Sequence, residues 1–188
     1  MNTQAMESTV FEVIRERRSV RSYLDQPIEE EKINLILESA RLAPSASNSQ
    51  PWHFYVVKNK DKIKALSEKM PLGSKLVINS FMAQAPVIIV ATAGPIPFLQ
   101  KFLSYLVNKR WYYLDVAIAL EHMVLTAWDL GIGSCWIGWF DEKKIKKLLN
   151  IPAKQEVIAM LTLGYPKEKG SHFPKHRKKL EEILKIIE

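Results

Sequence analysis

A chain of 188 residues that is 47% hydrophobic and 25% charged has material for one sizeable core and is short for two, so a single domain over 1–188 is expected. Its one cysteine, Cys135, excludes an internal disulfide, and no cationic stretch followed by an apolar one opens the chain, which favours the cytoplasm. The net charge of +7 is compatible with nucleic acid, an acidic surface or a phosphorylated ligand, but no zinc-finger spacing, basic heptad region or aromatic RNA-binding signature accompanies it, so nucleic acid stays a minor reading.

Val10, Phe11, Val13 and Ile14 predict a short helix from about Thr9, running into Arg15-Glu16-Arg17-Arg18-Ser19-Val20-Arg21 before Tyr23 and Asp25-Gln26-Pro27 turn the chain. Arginine presents a planar fork of donors that fits phosphate or carboxylate, and Ser19 adds a neutral donor. Alone, the cluster reads equally as the solvated cationic end of a helix. Ile33, Ile36, Leu37 and Ala40 then recur at helical spacing, and the pattern stops because Pro44 disfavours the helical conformation at Ala43. Between Pro44 and Pro51 lie Ser45, Ala46, Ser47, Asn48, Ser49 and Gln50, a loop of hydroxyls and carboxamides that suits a polar, planar ligand. An ordinary surface turn stapled to the core by Trp52 fits as well. His53 to Val57 read as a buried strand.

Asp61 to Met70 carries a weak helical pattern through Ile63 and Leu66, ending at Pro71 and Gly73. No charge occurs between Lys75 and Lys101, yet polar residues and prolines interrupt the stretch and leave Val87 to Ala91 as a strand rather than a membrane span. From Thr92 to about Lys109 the chain is irregular, and Phe98, Phe102 and Tyr105 read as core or dimer contact. A long helix from about Trp111 to Leu130 is apolar over so much of its circumference, through Leu114, Ile118, Leu120, Val124, Leu125 and Trp128, that burial on several sides is expected, as at the centre of a dimer. Gly131 ends it. His122 has no partner at ligand spacing and Asp115 reads as structural.

Gly131 to Gly138 is not a dinucleotide fingerprint, because its glycines follow a helix and lead into a strand, with Trp136 where the third glycine belongs. Cys135, lone in an apolar run, reads as packing. Asp141 caps a helix to Leu149 with a lysine-rich solvated face, Ile151-Pro152 stops it, and Val157 to Leu163 is another buried strand. Beyond the turn at Gly164-Tyr165-Pro166 comes Phe173-Pro174-Lys175-His176-Arg177, extended by Lys178 and Lys179.

Arg17-Arg18-Ser19-Val20-Arg21, Pro44 to Phe54, Trp136-Ile137-Gly138 and Pro174-Lys175-His176-Arg177, in that order, resemble the nitroreductase family of flavin mononucleotide (FMN) enzymes, and the resemblance runs from Phe11 to about Leu180. It implies an α+β fold, a three-layer α-β-α sandwich with a mixed, mainly antiparallel sheet, formed as an intertwined homodimer that binds two FMN at its interface. It implies that Arg17, Arg18, Ser19 and Arg21 hold the phosphate and ribityl chain, with Arg21 near the pyrimidine edge. Pro44, Ser45, Ala46, Ser47 and Asn48 would approach the same flavin from the partner subunit. Trp136, Ile137 and Gly138 would form the strand that meets the ring, with a main-chain N–H of Ile137, or failing that of Gly138, against flavin N5. Lys175 and Arg177 would complete the phosphate site, with Lys178 competing for the register of Arg177. The implied activity is ping-pong transfer of hydride from NAD(P)H through the flavin to an electron-poor acceptor such as a nitroaromatic or quinone. A cofactor carrying the chemistry accounts for a sequence without a catalytic triad, paired carboxylates or a metal cluster. The alternatives are other flavin chemistry on the same fold (dehalogenation, dehydrogenation, flavin destruction) or a non-catalytic flavin-binding regulatory or storage protein.

Overall fold

The computed structural model describes residues 9–68, 79–95, 102, 106, 109–168 and 175–188. Within them, β1 (Trp52–Val57), β2 (Val87–Ala93), β3 (Gly133–Ile137) and β4 (Glu156–Gly164) form one sheet in the order β1-β2-β4-β3, with every strand pairing antiparallel. The parallel part of the expected mixed sheet is a single isolated bridge, Ser19 to Ser134, which lays the segment after the first helix along the outer edge of β3.

The apolar run of β2 is explained by its central position, where all seven residues are buried. Alternation sends Ile89 and Ala91 to one face and Ile88 and Val90 to the other. On the first face lie α2 (Glu30–Arg41) and α4 (Trp111–Asp129), contributing Ile33, Ile36, Val116, Leu120 and Met123; on the second lie α3 (Lys60–Ser67) and α5 (Glu142–Leu149), contributing Ile63, Leu66 and Ile145. These are the three expected layers. β1 departs from the expectation of a buried strand: it is an edge, and only Val57 in it is buried.

The helix ends follow local chemistry. In α4 a closing turn at Gly131, φ +77°, lets the Ile132 N–H reach Ala127 O at 2.8 Å and the Gly131 N–H reach Trp128 O at 3.0 Å, which aims the chain into β3. Asp141 Oδ1 accepts from Lys144 N at 3.1 Å as the expected cap of α5. That helix is stopped by Asn150 in the left-handed conformation, one residue before the Ile151-Pro152 pair expected to end it. The end expected for α3 at Met70, Pro71 and Gly73, and the residues Phe98, Tyr105, Phe173 and Pro174, lie outside the described residues.

The first helix, α1 (Thr9–Glu16), forms where expected, but none of its residues is buried, and Val10, Phe11 and Ile14 are 61, 52 and 48% exposed. The long α4 likewise shows Leu114 at 60% and Ile118 at 38%. Among the described residues no helix is long and apolar enough to cross a membrane, and no group of three or more His, Cys, Asp or Glu could hold a metal ion.

Candidate functional site

Arg17 to Arg21 is held against the outer edge of β3. Val20 N donates to Ser134 O at 2.8 Å, and Tyr23, 1% exposed, donates its hydroxyl to Val20 O at 2.6 Å and stands 2.7 Å from Thr162 Oγ1 on β4. Burial pushes the Tyr23 phenol far above its ordinary range, so it remains a neutral donor. Two strand glycines permit this approach: a Cβ on Gly133 would meet Val20 Cγ2 at 2.6 Å, and one on Gly164 would meet Tyr23 Cδ1 at 2.7 Å.

Four cations gather around the end of α1. Lys175 Nζ donates to Arg15 O, joining positions 160 residues apart. Burial first, and then the positive charges of Arg18, Arg17 and Arg177, hold the Lys175 ammonium below the usual lysine range. Such a cluster is electrostatically strained by itself, and a phosphate dianion would relieve it while using the planar forks of the arginines. The donor set therefore fits a phosphate. Arg177 is among the charges that act on Lys175. Arg18 is occupied differently, because its Nη1 donates to the carbonyls of Arg15, Glu16 and Arg17 at 3.3, 2.9 and 3.2 Å and so closes the C-terminus of α1. Arg17 meets Glu121 of α4, Nε to Oε1 at 3.4 Å. A largely apolar cavity of about 530 Å³ borders Arg18 but includes none of the other three cations, so it is separate from the phosphate cradle.

Further along the same edge, pairing decides which backbone groups face outward. Both the bridge to Ser19 and the bond from Val20 engage Ser134 on the side away from β4. In an antiparallel pair outward and inward residues alternate, so Trp136 also faces outward, whereas Cys135 and Ile137 exchange bonds with Thr162 and Met160. Ile137, the first choice from the sequence, thus has its N–H committed to the sheet. Trp136 is the outward position within β3, 36% exposed, and Gly138, directly after the strand's last residue and outside its pairing, is exposed as well. Arg21 lies beside Cys135, whose thiol is raised by burial and partly lowered again by that guanidinium.

The Pro44 to Asn48 loop is built at the other edge. Ala46 N donates to Asp115 Oδ1 at 3.0 Å and Ser49 Oγ lies 3.4 Å from Oδ2, with Asp115 only 3% exposed in α4. Gln50 N donates to Ser45 Oγ at 3.0 Å. Ser47, Asn48 and Gln50 all hold left-handed angles, φ 52, 52 and 43°, which non-glycine residues adopt only when their surroundings impose it. Pro44, Ser47 and Asn48 are exposed and Ser45 and Ala46 half-buried, so the loop presents its polar groups outward.

This loop leads into Trp52, which pairs with Ala93, itself paired with Glu156 at the start of β4, whereas Ser134 pairs with Leu163 near the end of β4. The loop and the arginine segment therefore occupy diagonally opposite corners of the sheet, about 14 Å apart across three strand spacings before the offset along the strands is added. A single chain does not bring them together.

Sequence reasoning missed the supporting groups. Asp115, expected to be structural, is structural in a specific way, as the anchor of the loop; a lone acid in an apolar helix was the available signal. Glu121 and Tyr23 carried none. His122 Nδ1, 3.1 Å from Ser39 O, joins α4 to α2, as suits a packing histidine. Near the loop's end of the sheet, Glu156 gathers the hydroxyls of Tyr112 and Tyr113 and lies 3.6 Å from Arg110; burial, followed by the bond to Glu156, pushes Tyr113 up to about 12.

A family model described as Nitroreductase family matches residues 14–72 and 67–165. A protein of Archaeoglobus fulgidus, described provisionally as an NADH dehydrogenase/NAD(P)H nitroreductase, is 38% identical over 167 residues, which are 87% of this chain and 88% of that protein. A nitroreductase family protein of Clostridium novyi NT has a solved structure similar to this one with a TM-score of 0.73 at 32% identity, covering 86% of this chain and 87% of that one. The structure of an FMN-dependent nitroreductase from Clostridium difficile R20291 gives 0.70 at 30% identity, covering 90% and 92%.

Proposed function

Since the chain belongs to the nitroreductase family, we propose that it is an FMN-dependent NAD(P)H oxidoreductase acting as a homodimer with the cofactor shared between subunits. The observation that carries this reading is the cationic cradle of Arg17, Lys175 and Arg177, in which the charge of Lys175 is penalised and calls for an anion. Bound FMN supplies two-electron hydride chemistry, drawn from NAD(P)H and delivered in a second half-reaction to an electron-poor acceptor such as a nitroaromatic or quinone.

The chain's own part is to bind and orient. Arg17, Lys175 and Arg177 hold the phosphate, and Arg18 keeps the α1 terminus closed beneath it while adding positive charge. Ser19 and Arg21, fixed to β3 through Val20 and Tyr23, offer donors along the edge, and the Gly138 N–H serves the ring nitrogen that exchanges hydride. Arg21 favours negative charge developing on the reduced ring. The Pro44 to Asn48 loop reaches the same site only from a second copy, because its own chain holds it at the far corner of the sheet. The exposed apolar faces of α1 and α4, Val10, Phe11, Ile14, Leu114 and Ile118, supply the surface such a dimer would bury.

The test is the visible spectrum of the purified protein with identification of the released cofactor, followed by NAD(P)H oxidation with menadione or a nitrofuran. A yellow protein releasing FMN rather than FAD, and turning over, supports the reading. A colourless protein whose melting temperature FMN does not raise would refute it, as would a monomer by light scattering with full FMN occupancy for the shared site.

A further inference from the structure

We infer that Glu121 is a positioning residue for Arg17, steering the terminal fork of that arginine toward the cofactor phosphate; the inference rests on the phosphate cradle proposed above. Arg17 follows a helix with no buried residue, so α1 has no core contact of its own to hold the side chain in place. Glu121 stands on the opposite kind of support. Its neighbours in α4, Leu120 and Met123, are both fully buried, and among the described helices α4 has the most buried residues.

The contact between the two runs from Nε to Oε1, at 3.4 Å. Among the described residues the two terminal nitrogens of Arg17 carry no hydrogen bond, so the edge of the guanidinium that grips an oxyanion in bidentate fashion is left for a ligand. Nor does Glu121 neutralise the cradle as a whole. The influences that dominate at the Lys175 ammonium are burial, then Arg18, Arg17 and Arg177, with Glu16 easing it, and Glu121 is not one of them. Its effect is therefore local to Arg17, on geometry rather than on total charge. An uncharged acceptor at the same place should perform most of the same task.

The experiment compares FMN with riboflavin, which shares the ring and ribityl chain and lacks the phosphate. Affinities of the deflavinated full-length protein for both are measured by flavin fluorescence quenching in the wild type, Glu121→Ala, Glu121→Gln, Arg17→Ala and the Arg17→Ala/Glu121→Ala double variant. The expected result is a wild-type preference for FMN that Glu121→Ala lowers about two- to fivefold, the range of a half-exposed ion pair, with riboflavin affinity unchanged. Glu121→Gln should retain most of that preference, and Glu121→Ala should change nothing once Arg17 is gone. An unchanged or increased preference in Glu121→Ala, equal losses in the alanine and glutamine variants, or a further loss in the Arg17→Ala background would each overturn the inference. A wild type that binds riboflavin as tightly as FMN would overturn the phosphate cradle together with it.

Discussion

Replacing Asp115 by alanine tests how the polar loop is built. The carboxylate is 3% exposed and accepts from Ala46 N at 3.0 Å, while the Ser49 hydroxyl at 3.4 Å adds little. A hydrogen bond to a charged group contributes about 1.5 to 3 kcal/mol, so the folded cofactor-free chain should lose about 2 kcal/mol in urea unfolding. The loop also holds three non-glycine residues at positive φ, Ser47, Asn48 and Gln50. Each costs about 1 kcal/mol, and without its anchor the loop relaxes out of that geometry. Re-forming it on cofactor binding would then cost up to about 3 kcal/mol, which corresponds to FMN affinity weaker by roughly tenfold to a hundredfold. Asp115→Asn keeps an acceptor in place and should show about half of each effect. Fluorescence titration with FMN and light scattering, to show that the dimer persists, complete the assay. An Asp115→Ala protein that binds FMN with wild-type affinity would refute both the strain argument and the loop's place in the site.

Alanine at Arg17 or Arg177 should weaken FMN binding roughly tenfold to a hundredfold, whereas Lys146→Ala, in α5 and paired with Glu142 at 2.7 Å, should leave it nearly unchanged; equal effects at all three would indicate diffuse charge instead of a cradle. Gly138→Ala keeps the N–H and its Cβ meets nothing within 4 Å, so stopped-flow reduction of bound flavin by NAD(P)H should match the wild type. Gly138→Pro, if it retains FMN, should be reduced at least about tenfold more slowly, and a wild-type rate would exclude that N–H as the donor. For Lys175 the folded pKa is depressed by burial and by Arg18, Arg17 and Arg177, so its protonated form is the penalised one, and a bound phosphate shifts it back upward. FMN affinity should therefore begin to fall with rising pH below the ordinary lysine range and lose that inflection in Lys175→Met; an isothermal titration series flat up to that range would contradict the cluster.

Much of this molecule was legible because its signals are local. The apolar run through Leu114, Ile118, Leu120, Val124, Leu125 and Trp128 marks α4, the short apolar run of β2 marks a strand, Asp141 marks a helix start, and the ordered set of arginines, serines and the Lys175-His176-Arg177 tail points to one family. Side-chain chemistry and periodicity survive in one dimension. What the tertiary structure decided depends on partners. Whether Ile137 or Gly138 offers its N–H outward turns on which residues of β4 and of the Ser19 segment flank β3, and a pattern of period two read without its neighbours cannot assign the faces. The exposure of β1 follows from its place at an edge, and hydrophobicity alone cannot tell an edge strand from a central one. Arg18 and Arg17 are adjacent arginines, yet one closes a helix and the other meets Glu121, because the chain turns between them. Asp115 holds a loop 69 residues away in sequence. The separation of the two polar motifs onto opposite corners of the sheet, which makes a second copy necessary to the proposed site, is a property of strand order, and strand order is set by long-range packing that no local segment encodes.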